Sequence, residues 1–299
     1  MGWRGRTIGA VVTLLLAAAG CVNDRNETLR GPEFDGMWNM ATLPPPAQYG
    51  NVLISRLTRS STHPPVAFSH WVHRRLYTCR VCHFELNFAL KTNTTEISEA
   101  KIRKGEYCGA CHNDKTAFGI TEVIRVPAAA ELEADRPAAY RISSLDNFRP
   151  IVSSAGPEDT CTICHTGDIG ASDGRFEELK DFPPAPYGNK IDWVMALERG
   201  FIAPKQSILD ENYQPIPFEE ELKLDSEWRL ARTWAVFPHQ KHIAWLDCAD
   251  CHPDIFSIQK KGTRNMRMDT INRGMFCGSC HGSVAFPLQD CKRCHPGLR

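Results

Sequence analysis

Cys277-Gly278-Ser279-Cys280-His281, followed closely by Cys291-Lys292-Arg293-Cys294-His295, carries the pattern that decides the fold. The same Cys-x-x-Cys-His spacing occurs at Cys79, Cys82 and His83, at Cys108, Cys111 and His112, at Cys161, Cys164 and His165, and at Cys248, Cys251 and His252. Six copies use twelve of the 13 cysteines. Two thiols three residues apart suit thioether bonds to the two vinyl groups along one edge of a haem, and the histidine that follows then lies under the iron. Zinc knuckles, iron–sulfur sites and thioredoxin-like motifs share Cys-x-x-Cys, but not a histidine in the fifth place every time. The motifs therefore predict six covalently attached haems c.

Working outward, the chain repeats itself at an offset of 169 residues. Phe68, His70 and His73 map onto Phe237, His239 and His242; Cys79 and His83 map onto Cys248 and His252; Cys108, Gly109 and His112 map onto Cys277, Gly278 and His281. An upstream echo, Pro45 to Asn51 against Pro183 to Asn189, reads as a leader opening each repeat. The third motif breaks the symmetry, because Cys291 follows Cys280 closely whereas Cys111 and Cys161 are far apart. The expected division is an export signal at 1–20, an anchored linker at 21–41, a first three-haem domain at 42–170 with an insertion at 119–160, a linker and leader segment at 171–236, and a second three-haem domain at 237–299. Within the linker, Ile191, Val194, Leu197 and Phe201 fall at helical spacing. Gly200 and Pro204 supply a stop, which predicts a short helix over 191–201 covering a haem face.

The last domain has 63 residues for three motifs. So little chain cannot build a conventional apolar core, and domains of this size rely on staples or metals. The porphyrins must then supply the core, which predicts few short helices, loops wrapped around haems and little or no sheet.

Six of the 11 histidines belong to the motifs, leaving His63, His70, His73, His239 and His242. Histidines three apart lie on nearly one face of a helix yet diverge enough to reach two irons. Two such pairs at equivalent repeat positions, each with Phe two residues earlier, read as distal ligands, in keeping with imidazole's metal preferences.

Phe-x-His-x-x-His followed by three Cys-x-x-Cys-His motifs resembles the tri-haem c7-type domain of class III multihaem cytochromes. Met268, Ile271, Gly274 and the motif at Cys277, then Ala285-Phe286-Pro287-Leu288, are similar to the variant found in repeat-built electron-transfer cytochromes. The resemblance is close over Phe237 to Pro296 and good over Phe68 to Phe118. It implies that His70 serves the haem of His83, His73 that of His112, His239 that of His252, and His242 that of His281. It also places Met268 as the thioether ligand opposite His295, with Met266 the neighbouring alternative; Met as apolar filler against porphyrin is the plainer reading. His/Met ligation would raise that haem's potential. In the first repeat the equivalent position is Glu99, a departure from the pattern. His63, Met37, Met40 and Met195 are then the candidates opposite His165, of which His63 is the choice.

Arg4 and Arg6 precede an apolar run from Ile8 to Ala19, short of the roughly 20 residues a spanning helix needs, so the start reads as an export signal. Ala18-Ala19-Gly20-Cys21 resembles a bacterial lipobox, which implies lipidation of Cys21, with Val22 implying an outer-membrane address. Ordinary cleavage that leaves Cys21 a spare thiol is the alternative. Net charge of zero and a pI near 7.1 give no electrostatic footprint for nucleic acid. The expected function is electron transfer, not enzymatic turnover, between periplasmic donors and an outer-membrane or extracellular acceptor. The expected partners are other periplasmic or outer-membrane cytochromes, with a porin as a further candidate, and the membrane through the N-terminal lipid. Two alternatives remain: a reductase acting on a small oxidised substrate at an open haem of His165, and an accessory subunit of a porin–cytochrome conduit. Replacing Cys21 by Ala is expected to release the protein from membranes on cell fractionation; retention would overturn the lipid anchor.

Overall fold

A computed structural model describes residues 40, 42–118, 157–224, 234–258, 263 and 265–298. The export signal, Cys21, Met37 and the insertion up to residue 156 lie outside the described residues. Two small antiparallel sheets pair β1 (Asn51–Ile54) with β2 (Val66–Ser69) and β3 (Glu221–Leu224) with β4 (Ala235–Pro238). The helices are α1 (His70–Arg74), α2 (Glu99–Arg103), α3 (Pro157–Cys164), α4 (Trp193–Glu198), α5 (His239–Ile243), α6 (Met268–Asn272), α7 (Gly278–His281) and α8 (Cys291–Cys294). The longest has eight residues, short of the usual three turns. Among the described residues, no helix is long and apolar enough to cross a membrane.

The duplication is visible in backbone detail. Val52 pairs with Phe68 and Leu222 with Phe237, and each strand ends in an extended residue, Ser69 or Pro238, from which the histidine-bearing helix starts. Downstream, α2 and α6 occupy equivalent places. Each is followed by a left-handed glycine, Gly105 at φ +82° and Gly274 at φ +84°, and then by an aromatic residue with positive φ, Tyr107 or Phe276. Gly109 and Gly278 then come so close to the preceding helix that an added Cβ would stand 1.9 Å from the carbonyl oxygen of Ile102 or Ile271. That approach leaves no room for any side chain.

Between the trios lies the polypeptide's own core. Trp71 of α1 packs with Leu179, Ile191, Trp193, Ala196 and Ile202, while Trp245 from the second repeat closes one edge. A smaller cluster joins Tyr77, Val81 and Ala110 to Ile208. The segment taken from sequence as a linker thus forms a wedge holding both repeats. Lys205 donates its N–H to Leu76 O at 2.8 Å and accepts from Thr78 N at 3.0 Å. Gln206 donates to Ala244 O at 3.3 Å, and Lys241 pairs with Glu198.

Two expectations need correction here. The helix expected over 191–201 spans only Trp193–Glu198, because Asp192 caps its start by accepting from Met195 N at 3.0 Å and Gly200 turns left-handed after it. Its buried face is Trp193 and Ala196, while Phe201 is exposed. The leader echo, moreover, does not open equivalent repeats. The structural counterpart of Gly50 is Glu220, since both accept the Nδ1–H of the first helix histidine. Pro183 to Asn189 instead packs on Pro45 to Asn51: the Asn189 amide donates to Pro46 O at 2.8 Å and Tyr49 O at 2.7 Å, and Gly188 lies against the Tyr49 ring.

Arg80, between the thiols of the first motif, fastens the repeats from the other side. Its Nε donates to Asp247 at 3.1 Å and its backbone N–H to Trp245 O at 2.9 Å, while its guanidinium pairs with Glu85. Glu85, with 2% of its side chain exposed, also accepts from Ser207 and from Ile208 N. Charges taken this far from water are costly unless paired and hydrogen-bonded, as these are.

Replacing Gly278 by Ala is expected to cost about 3 kcal/mol in denaturant unfolding of the holoprotein, since a backbone carbonyl must yield. A change below experimental error would contradict the close approach.

Candidate haem sites

In five motifs the histidine N–H bonds back to the carbonyl of the first cysteine: His112 to Cys108 and His295 to Cys291 at 2.8 Å, and His165 to Cys161, His252 to Cys248 and His281 to Cys277 at 2.9 Å. One helical turn therefore puts both thiols and the imidazole on one side. The twelve motif cysteines form no disulfides. Burial pushes the thiols of Cys82, Cys108 and Cys280 up to about 12, so they are neutral thiols. Among the described residues, no group of three or more side chains converges as a metal cage would need.

Ten of the 11 histidines share one device: the ring Nδ1–H donates to a backbone carbonyl. Four proximal rings use the loop just after their own motif, His83 with Phe88 O at 2.8 Å, His112 with Phe118 O at 2.9 Å, His252 with Phe256 O at 2.8 Å and His281 with Phe286 O at 2.8 Å. The two third-motif rings reach back across the chain to residues just before the β2 and β4 strands, His165 to Pro64 O at 2.8 Å and His295 to Trp234 O at 3.3 Å. The helix rings use the carbonyl opposite or behind them, His70 with Gly50, His239 with Glu220, His73 with Ser69 and His242 with Pro238. An imidazole held in this way keeps its lone pair on Nε2 and its plane fixed, which is the form that binds a metal. Burial favours the same neutral form: it pushes His70 down to about 3, and His73 and His281 down to about 4, and lowers His83, His112 and His242 as well.

The rings meet in pairs. His73 faces His112 with centroids 6.3 Å apart, and His242 faces His281 at 6.2 Å. Two imidazoles sharing one metal, each with Nε2 at about 2.0 Å, have centres roughly 6 Å apart. Phe68 stacks on His73 at 4.4 Å and stands edge-on to His70 at 4.9 Å; Phe237 repeats this with His242 at 4.2 Å and His239 at 4.9 Å. The Phe two residues before each pair thus holds both rings apart. His63 lies beside His165 with centroids 5.3 Å apart. His70 and His83 line the same cavity. No ring pairing is found between His239 and His252 among the described residues, and Cys248 of that motif is exposed.

One connected cavity of about 1690 Å3 runs through both repeats. Eleven motif cysteines line it, with His63, His70, His73 and the proximal rings other than His252. Met268 and Met266 line it in common with His295, as does Met40; Met195, on α4, does not. Glu99, where the first repeat departs from Met268, pairs with Arg103 at 2.7 Å. The shape and chemistry fit haem: space between facing imidazoles, thiols along the edge, and apolar walls.

The carbonyl acceptors escaped sequence reading, since any residue type supplies one. Arg74 and Arg80 escaped it too, although both replace apolar residues of the second repeat, Ile243 and Ala249, in the aligned sequences.

The family model described as cytochrome c7 and related cytochrome c matches residues 66–166 and 235–296, more than half of the chain. Among solved structures, the C-terminal hexaheme fragment of a dodecaheme cytochrome c is 23% identical, covering 85% of this chain and 99% of that one with a TM-score of 0.23. The dodecaheme cytochrome c itself is 26% identical, covering 84% and 75% with a TM-score of 0.24. No curated protein matches the chain.

Replacing His242 by Ala is expected to leave the protein assembled but to add one high-spin ferric signal in EPR, because the imidazole facing His281 is lost. An unchanged low-spin spectrum would show that this pair does not share an iron.

Proposed function

Because this chain belongs to the cytochrome c7 family, as a tandem c7-type multihaem cytochrome, we propose that it carries six haems and passes electrons from periplasmic donors to an outer-membrane or extracellular acceptor. The paired imidazoles at ligation spacing carry this reading. When bound, each haem supplies one-electron chemistry between ferrous and ferric iron. Everything else is the work of this chain's residues. Cys79, Cys82, Cys108, Cys111, Cys161, Cys164, Cys248, Cys251, Cys277, Cys280, Cys291 and Cys294 would hold the macrocycles, and the six motif histidines would bind the irons.

On the opposite side we assign His70, His73, His239 and His242 to the haems of His83, His112, His252 and His281. Met268 is assigned to that of His295 and His63 to that of His165. The nearness of His63 to His165 supports a closed sixth site, and with it a carrier instead of a reductase. The cavity continuous through both repeats supports electron movement between them, since its walls include cysteines of all six motifs. In this reading the protein is exported, anchored by lipid at Cys21 on either face of the outer membrane, and docks with other redox proteins there.

Pyridine haemochrome analysis is expected to return about six haems per chain, in line with the motif count. EPR of the oxidised protein is expected to be low-spin and unaltered by nitrite or hydroxylamine. His63→Ala should then open one haem, seen as a new high-spin signal that responds to nitrite. A large high-spin signal in the unmodified protein would overturn the carrier reading in favour of a reductase.

A further inference from the structure

The two repeats are alike in their helix histidines but differ at the residue after the second of them. This is Arg74 at the end of α1 and Ile243 at the end of α5. Arg74 does not point to solvent. Its Nη2 donates to Val284 O, just beyond the fifth motif, at 2.9 Å, and its guanidinium lies 5.1 Å from the centre of the Trp193 ring in the wedge. It lines the connected cavity, and no carboxylate is paired with it among the described residues. Arg74 stands four residues after His70, on the same face of α1, and the carbonyl it holds belongs to Val284, three residues beyond His281. Tyr49, beside the Gly50 whose carbonyl holds His70, donates its O–H to Ala285 O at 2.7 Å, which makes this the place where the two trios meet.

We infer that Arg74 is a fixed positive charge shared by the haem sites of His83 and His281, and that it raises the reduction potentials of both at the crossing between the repeats. The inference rests on the assignment of haems to these motifs in the proposed function. Guanidinium remains protonated in proteins, so the charge is permanent. A ferric haem carries one more positive charge than a ferrous one. A fixed cation nearby therefore disfavours the ferric form by simple Coulomb repulsion. Ile243 supplies no such charge in the second repeat. Arg74 touches neither iron and is a tuning residue, not a ligand.

The test is a spectroelectrochemical titration of the full holoprotein and of Arg74→Gln, which keeps an N–H donor for Val284 O but removes the charge, alongside Arg74→Lys, which keeps the charge. In Arg74→Gln the midpoints of two haems are expected to fall. The change is on the order of tenfold in their ferrous-to-ferric ratio at fixed potential, equivalent to about 59 mV for a one-electron couple. Arg74→Lys should retain most of the original values. A role confined to holding Val284 would move no midpoint. Unchanged midpoints in a six-haem Gln variant, or a shift spread evenly over all six, would overturn the inference. Should Arg74→Gln fail to assemble, the unmodified protein decides: the haems of His83 and His281, assigned by NMR of their methyl groups, must titrate above their repeat counterparts at His252 and His112. The opposite order would overturn it. A haem count well below six would instead sink the functional reading on which the inference stands.

Discussion

Everything in this molecule hangs on a hydrogen bond from an imidazole Nδ1–H to a backbone carbonyl. It occurs on ten histidines and ties each ring to a different piece of local structure: a loop after a motif, the carbonyl behind a helix, or the strand across a two-stranded sheet. A single such bond contributes modestly to stability, about 1 kcal/mol. Its larger effect is orientation, because it fixes both the tautomer and the plane of a ring and leaves its other nitrogen free to bind a metal. The two small sheets have a function in this light. β1 and β3 begin just after Gly50 and Glu220 and bring these carbonyls to the first helix histidine of each repeat.

The polypeptide divides its apolar side chains between two tasks. Most of those in the repeats line the cavity, and too few remain to bury one another. The wedge from residue 171 onwards does the opposite. Trp193, Ala196, Ile191 and Leu179 pack with Trp71 into an ordinary core beside the cavity. The protein therefore stands on two supports, a cofactor-shaped space and a protein core, and α1 belongs to both through His73 and Trp71.

Much of this was legible in the residues. The motif spacing and the 169-residue offset expose the duplicated unit, and the offset also aligns Ile102 with Ile271, Gly105 with Gly274 and Gly109 with Gly278. The structure adds why glycine recurs: a carbonyl occupies the place of the Cβ at Gly109 and Gly278, and the backbone turns left-handed at Gly105 and Gly274. Other features had no side-chain signature. Main-chain acceptors are invisible in sequence. The similarity of Pro45 to Asn51 and Pro183 to Asn189 suggested equivalence in a repeat, whereas the segments pack on each other, and pattern alone cannot separate those outcomes. The helix at Trp193 was foreseen, but its face was not: Ile191 precedes the cap and Phe201 follows the left-handed glycine, so the apparent stripe runs past both ends.

The wedge also limits how such a protein can grow. It is a single copy serving two duplicated units, with Asp192 paired to Arg293 and Asn189 reaching back to Pro46 and Tyr49. The halves are consequently not interchangeable beads. A third unit added by duplication of 237–299 alone would arrive with its own ligands and nothing to seat it, so lengthening this architecture means copying its mortar as well as its bricks.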